Sequence, residues 1–193
     1  MIVYRFKISV NCFLPHNDLN SDFQQDAEEL YEDNGFIILP EQYSETGAPT
    51  RLVVNCHGAG GTVTTDDSQT EHQVLTQYLV ANGYAVMDVN GLPEAYAKKY
   101  GIDIRNNIGS PIAIRSYVKA YHYCMEHFNL KPDVFVHGGS MGGDQQHEFG
   151  IERLHSCHCA QCVLSGFGYL QRNISTSVER WAAQTCHGKN IRF

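Results

Sequence analysis

The sequence has no long hydrophobic run. Its best apolar stretches, "RLVVNCHG" and "GYAVMDV", end after a few positions, whereas a membrane-spanning helix needs about 20 apolar residues. The N-terminal segment "MIVYRFKISVNCFLPHNDLN" has charges within its apolar part, and it lacks the hydrophobic core and small-residue cleavage site of a signal peptide. These absences predict a chain that neither spans a membrane nor carries a secretory signal of the usual kind.

Runs of basic residues are also absent. The chain has 14 Lys and Arg against 21 Asp and Glu, for a net charge of −7. Surfaces that bind nucleic acid or anionic membranes are basic, so the composition argues against both partners. A small molecule is the expected ligand, and the sequence does not indicate an oligomeric state.

No internal repeat, low-complexity tract or linker divides the chain. Its 193 residues are 42% hydrophobic, which is enough for one sizeable core, and we expect a single domain over residues 1–193. Seven cysteines are an odd number in a chain that is long enough not to need disulfides. This count favours reduced thiols and a cytoplasmic location.

Apolar segments alternate with segments of helical spacing. Strands are predicted at "GFIILP", "RLVVNCHG", "YAVMDV", "DVFVHGG" and "AQCVLSGFGYL". Helices are predicted in "SQTEHQVLTQYLVANG" and "SPIAIRSYVKAYHYCMEHFNL" and from about Met141, with weak helical spacing in "DFQQDAEELYED" and a long loop over "GLPEAYAKKYGIDIRNNIG". This order predicts an α/β fold, a mostly parallel sheet with helices on both faces. Ligands bind such sheets beyond the carboxyl ends of the strands, where "CHGAGG", "DVNG", "HGGSMGG" and "SGFG" would lie along one edge.

A G-x-S-x-G motif occupies the turn after the strand "DVFVHGG". Its central residue, Ser140, lies between Gly138 and Gly142, with a strand before it and a predicted helix after it, as a nucleophile elbow requires. Glycines allow the strained, close turn that exposes the serine hydroxyl. Ser140 is therefore the candidate nucleophile, and the alternative is a glycine-rich turn that binds phosphate or nothing.

A second glycine motif, "HGAGG", follows the upstream strand. Acyl transfer needs two hydrogen-bond donors aimed at one oxygen, one from the residue after the serine and one from an earlier loop. The backbone N–H groups of Met141 and Ala59 are the expected donors. The residues expected to line the substrate site are His57, Gly58, Gly60 and Gly139. His57 either braces its loop by hydrogen bonding or serves as the catalytic base.

At these motifs the sequence resembles the α/β-hydrolase superfamily, and within it esterases related to polyhydroxyalkanoate depolymerases and feruloyl esterases. The resemblance rests on "LPEQYSETGAPTRLVVNCHGAGG", "NGYAVMDVNG" and "LKPDVFVHGGSMGG" and covers roughly residues 36–170. It implies an ester hydrolase with Ser140 as nucleophile and Ala59 and Met141 as oxyanion donors. It also implies an acid and then a histidine later in the chain, and no metal or organic cofactor.

The sequence departs from that pattern after Ser140. Only 53 residues follow the serine, and from the resemblance we expect the strands and helix that carry the acid and the base in the family to be missing. We therefore expect an incomplete C-terminus and weak or no activity for this chain. Asp88, at the end of "YAVMDV", is more consistent with a loop-capping carboxylate than with an acid partner.

Local residues do not readily replace the missing base. Asp144 and His147 recede from the serine along the predicted helix, which rises 1.5 Å per residue. His155 and His158 fall near the far end of that helix. His187 remains the candidate base.

Two alternatives stay open for the function. A serine peptidase of the same fold would use the same elbow, and a catalytically silent binding module would retain the sheet edge and the glycine loops.

The segment "HSCHCAQC" has the soft ligands of a zinc site. Cys159 and Cys162, however, lie at or within a predicted strand, where residues three apart point to opposite faces. Buried structural cysteine is the preferred interpretation, and no metal is expected.

Overall fold

The computed structural model describes residues 1–13, 28–63, 69–105, 110–143 and 160–162. Its strands are β1 (Ile2–Phe13), β2 (Glu28–Leu39), β3 (Thr50–Cys56), β4 (Tyr84–Val89), β5 (Leu130–Gly138) and β6 (Ala160–Cys162). Its helices are α1 (Gln69–His72), α2 (Val74–Ala81), α3 (Glu94–Tyr100) and α4 (Pro111–His127). The six strands form one sheet in the order β1-β2-β4-β3-β5-β6.

The sheet is mixed, so the expectation of a mostly parallel sheet is wrong. β3 pairs in parallel with β4 and β5, and β5 pairs in parallel with β6. β1 and β2, however, form an antiparallel pair, and β2 lies antiparallel to β4. The N-terminal strand pair therefore adds two antiparallel strands to a parallel core. The α/β class itself holds.

Strand β2 replaces the weak helical spacing read in "DFQQDAEELYED". From Glu28 onwards this segment is extended, and it pairs with β1 over the whole of both strands, from Phe13 opposite Glu28 to Leu39 opposite Ile2. The part of the segment before Glu28 lies outside the described residues. β1 itself alternates, because its even-numbered residues from Phe6 to Cys12 are buried and the odd-numbered ones are exposed, as in a strand with one face on the core.

The helices cover both faces of the sheet, as the sequence predicts. Alternate residues of β2 enter different cores, with Ile37 and Leu39 on one face and Phe36 and Ile38 on the other. The first and larger core receives α3 and α4, through residues such as Tyr96 and Tyr117. The second core receives α2 through Val80, which packs with residues of β2, β3 and β4.

Helix α3 lies where the sequence predicts a loop. It spans Glu94–Tyr100 between two residues that normally signal a break. Pro93 directly precedes its first turn, and Gly101 ends it in the left-handed conformation at φ 65°. Proline near the start and glycine just after the end are ordinary helix boundaries, so these two residues delimit a helix rather than exclude one.

Two other predicted helical segments are helical in the structure. α1 and α2 divide the first at Gln73, and α4 fills the second. Of the helix predicted from about Met141, only the turn over residues 141–143 lies within the described residues. Among the described residues no helix is long and apolar enough to cross a membrane.

Cys12, Cys56 and Cys124 are buried free thiols. Within the described ranges, no group of three or more His, Cys, Asp or Glu side chains is placed so that it could bind a metal ion. The "HSCHCAQC" segment up to Cys159 lies outside the described residues.

Candidate active site

Three parallel strands end side by side at one edge of the sheet. β3 lies between β4 and β5, and its last residue, Cys56, pairs with Gly138 at the end of β5. His57, Asn90 and Gly139 directly follow the three strands. This strand order brings three of the four glycine-containing segments of the sequence together, because carboxyl ends of parallel strands share an edge. The fourth, "SGFG", lies outside the described residues.

Ser140 forms an exposed corner between β5 and a helical turn over residues 141–143. Its φ is 56°, which makes it the one non-glycine residue with positive φ in the described part of the chain. The turn is closed by hydrogen bonds from Gly142 N–H to the oxygen of Gly139, at 3.0 Å, and from Gly143 N–H to the oxygen of Ser140, at 2.9 Å. L-residues avoid this conformation, so the surrounding structure must hold Ser140 there.

The two outer glycines of the motif supply that constraint. A Cβ atom on Gly138 would lie 2.1 Å from the carbonyl oxygen of Gly142, and one on Gly142 would lie 1.8 Å from that of Cys56. Neither position has room for a side chain. Gly139 differs, because a Cβ atom there would meet nothing within 4 Å. The sharp corner therefore depends on glycine at positions 138 and 142.

The loop after β3 turns beside this corner. A Cβ atom on Gly58 would lie 3.9 Å from the Cβ of Ser140 and 3.3 Å from the oxygen of Gly139. Gly61 N–H donates to Gly58 O at 3.1 Å, and Gly60 has φ 85°, which is the pattern of a type II turn. We call residues 58–61 the glycine turn. Ala59 and Gly60 are exposed at its tip.

The segment after α3 passes over the glycine turn. Gly60 N–H donates to the backbone oxygen of Arg105 at 3.2 Å. The guanidinium of Arg105 pairs with both carboxylate oxygens of Asp103, each at 3.0 Å. Part of the long connection that follows β4 thus contacts the site, and long connections of this kind often line binding sites.

The side chain of Met141 is buried at the start of the helical turn. The amides of Gly142 and Gly143 are used within the turn, and the Met141 amide takes part in neither bond. Backbone N–H groups at a helix start carry partial positive charge and favour anionic oxygens. Met141 N–H and the glycine turn therefore border the same exposed serine.

His57 lies under the glycine turn, with only 2% of its side chain exposed. Its Nδ1 is 3.1 Å from Asp88 Oδ1 and 3.4 Å from the hydroxyl oxygen of Tyr117. Its Nε2 is buried and makes no hydrogen bond to any described residue, Ser140 included. The imidazole therefore faces the interior, where it supports the turn, rather than an open substrate site.

Asp88 accepts five hydrogen bonds. Its Oδ1 accepts from Val89 N–H, from the Tyr117 hydroxyl and from His57. Its Oδ2 accepts from Asn55 Nδ2 at 2.8 Å and from Thr70 Oγ1 at 2.7 Å. Burial lowers the pKa of His57, but the charge of Asp88 and the hydrogen bond to it, with a smaller effect of Asp33, leave that pKa above its usual value. The carboxylate and the imidazole thus form one buried polar cluster.

A second buried carboxylate, Asp33, lies nearby in β2. It accepts hydrogen bonds from the Ser116 hydroxyl, from Asn34 N–H and from Gly91 N–H. Burial raises its pKa to about 6, although these hydrogen bonds act to lower it. Asp33 therefore ties β2 to α4 and to the loop after β4, without touching the glycine turn.

Comparisons with known proteins leave the family open. No family model matches the sequence, and no curated protein matches it either. Among solved structures, Est1E from Butyrivibrio proteoclasticus matches with a TM-score of 0.42 and 13% identity. That match covers 64% of this chain, and the chain spans 43% of that protein. So distant a likeness carries no argument about the chemistry of this protein.

The sequence predicts the sharp turn at Ser140 and a glycine-rich loop after β3, but it does not predict the buried polar cluster around Asp88. From the sequence, Asp88 is expected to cap a loop. No sequence pattern identifies its hydrogen-bond partners Asn55, Thr70 and Tyr117. The remaining sequence candidates, His187, Asp144, His147, His155 and His158, lie outside the described residues.

Proposed function

We propose that the protein is a serine hydrolase that cleaves carboxylic esters through an acyl-serine intermediate at Ser140. The backbone of Ser140 carries this proposal, since it is left-handed at an exposed corner that Gly138 and Gly142 keep closed. A non-glycine residue in this conformation costs about 1–2 kcal/mol. Backbone outliers of this kind cluster at active sites, because the strain presents a reacting group.

The proposed oxyanion donors are the backbone N–H groups of Ala59 and Met141. The glycine turn packs beside Ser140 through Gly58, and the helical turn starts directly after the serine. Two amides that reach one oxygen from different segments are the arrangement that stabilises the tetrahedral intermediate of acyl transfer. Gly139 and Gly60 are exposed beside them and would border the substrate.

The chemistry proceeds in two steps. Ser140 Oγ attacks the ester carbonyl carbon, its proton passes to a base, and the alcohol leaves with a proton while the acyl group stays on the serine. Water then attacks the acyl-serine and releases the acid. In this proposal the base is His187, because His57 is buried and makes no hydrogen bond to Ser140.

Ester turnover tests the proposal. We expect the wild-type protein to hydrolyse a short-chain p-nitrophenyl ester slowly but above the buffer rate, in line with the weak activity expected from the sequence, and Ser140→Ala to lose at least about a hundredfold in kcat, because the nucleophile is gone. Ser9→Ala, an exposed serine on β1, is the matched control and should behave as wild type. Equal turnover by wild type and Ser140→Ala would refute the proposal.

The corresponding p-nitroanilide separates the two hydrolase classes. An esterase should hydrolyse this amide far more slowly than the ester, because the amine is the poorer leaving group. Comparable rates on both substrates would favour the serine peptidase instead.

A further inference from the structure

We infer that Asp88 is a positioning residue for this reaction: its hydrogen bond to His57 fixes the glycine turn that supplies the oxyanion donor Ala59. The inference rests on the proposed function. A chain of contacts carries it from Asp88 to His57, from the imidazole to Gly61, and across the turn to Gly58 and Ser140.

Asp88 is suited to an anchor because five donors from different parts of the fold converge on it. Val89 follows it in β4, and the other donors come from β3, the loop after β3, α1 and α4. The carboxylate is fully buried, and hydrogen bonds to charged groups are stronger in a low-dielectric interior. Since four of the five donors lie outside β4, the position of this carboxylate is fixed from several sides.

The imidazole transmits that position to the glycine turn. A Cβ atom on Gly61 would lie 2.9 Å from His57 Cδ2 and 3.1 Å from His57 Cβ, so the end of the turn rests directly on the ring. Gly61 N–H in turn closes the turn on Gly58 O. A shift of the ring would therefore move the Ala59 amide relative to Ser140.

A second bond anchors the other end of the same loop. The side-chain oxygen of Asn90 accepts a hydrogen bond from Val63 N–H at 2.7 Å. Asn90 follows Asp88 by two residues at the end of β4. The loop from His57 to Val63 is thus attached at both ends to one strand terminus, with the proposed donor between the two attachments.

Two substitutions at His57 separate the hydrogen bond from the rest of the side chain. In His57→Asn the side-chain amide lies near the position of Nδ1 and can still donate to Asp88, whereas His57→Leu has a similar branched shape and no donor. We expect His57→Leu to lose about a hundredfold in kcat with little change in KM, the scale of a misplaced oxyanion donor. His57→Asn should retain most of the wild-type kcat. Equal losses in both variants would refute the inference.

Glu32→Gln is the control. It removes an exposed carboxylate of β2 that pairs with Lys7, away from the site, so it should leave the kcat of the ester reaction unchanged. Amide hydrogen exchange at Gly61 gives a readout that needs no activity. We expect faster exchange in His57→Leu than in His57→Asn, and equal exchange would also count against the positioning role.

The two proposals fail in different ways. If the wild-type protein turns over no ester, the proposed function is wrong and the positioning role of Asp88 in this reaction is wrong with it, whatever hydrogen exchange shows. If wild type is active and Ser140→Ala is not, but His57→Leu keeps the wild-type kcat, the proposed function holds and the positioning role alone is refuted.

Discussion

Gly142 lies so close to the carbonyl oxygen of Cys56 that a Cβ atom on the glycine would stand 1.8 Å from it. This contact presses the end of β3 against the turn that carries Ser140. It joins the glycine turn and the serine corner into one unit, because the next residue after Cys56 is His57. Both motifs therefore depend on the same close backbone approach.

Gly142→Ala should be severely destabilising. The added methyl group would meet backbone rather than a movable side chain, so we expect the variant to misfold or to lose more than about 3 kcal/mol in the free energy of unfolding. Gly139→Ala is the neighbouring control, since its methyl group would meet open space. Urea unfolding monitored by circular dichroism compares the two. A Gly142→Ala protein within about 1 kcal/mol of wild type would contradict the close contact.

Ser140→Gly should be more stable than Ser140→Ala. Both lack the hydroxyl, but only glycine adopts φ 56° without the cost of about 1–2 kcal/mol that an L-residue incurs. The greater freedom of glycine in the unfolded chain offsets part of this gain. We expect a net difference of about 0.5–1 kcal/mol in thermal or urea unfolding. If Ser140→Ala proves the more stable, the strain assigned to this corner is absent.

Asp33 makes stability depend on pH. Burial raises its pKa from 3.8 to about 6, so the folded protein binds more protons than the unfolded chain between about pH 4 and pH 6. The contribution of Asp33 to the free energy of unfolding therefore falls as the pH rises through this window, by on the order of 3 kcal/mol. Above about pH 6 this contribution levels off.

Asp33→Asn removes that dependence. The difference in stability between wild type and Asp33→Asn, measured by urea unfolding at pH 4 and at pH 7, should shift towards the variant as the pH rises. Asp103→Asn, at an exposed carboxylate paired with Arg105, is the control and should show no such shift in the same direction. A difference that stays constant with pH would show that Asp33 is not buried as described.

The parallel strands of the sheet were predictable because each has a recognisable pattern in its own sequence. β3, β4 and β5 each contain a short apolar run with a glycine two residues after its last apolar residue, and such runs are typical of strands with both faces buried. β2 gave no such signal, because its first half reads "EELYED". Its extended form depends on pairing with β1 along its whole length, which is information held by another segment.

In the site, too, features set by a local sequence pattern were predictable, whereas contacts between distant segments were not. The sharp turn at Ser140 was predictable because spaced glycines around a serine after a strand are typical of such a turn. The contact of His57 with Asp88 was not, since these residues lie 31 positions apart and meet only because β4 is placed beside β3 in the sheet. Partners that depend on strand order leave no trace in local sequence.

Covalent labelling of Ser140 tests the central claim most directly. The protein is incubated with a fluorophosphonate, digested, and mapped by mass spectrometry. An activated serine nucleophile should form a single phosphonyl adduct on the peptide that contains Ser140, absent from Ser140→Ala and from heat-denatured protein. An unmodified Ser140 in the folded wild-type protein, or an adduct that persists in Ser140→Ala, would contradict the account.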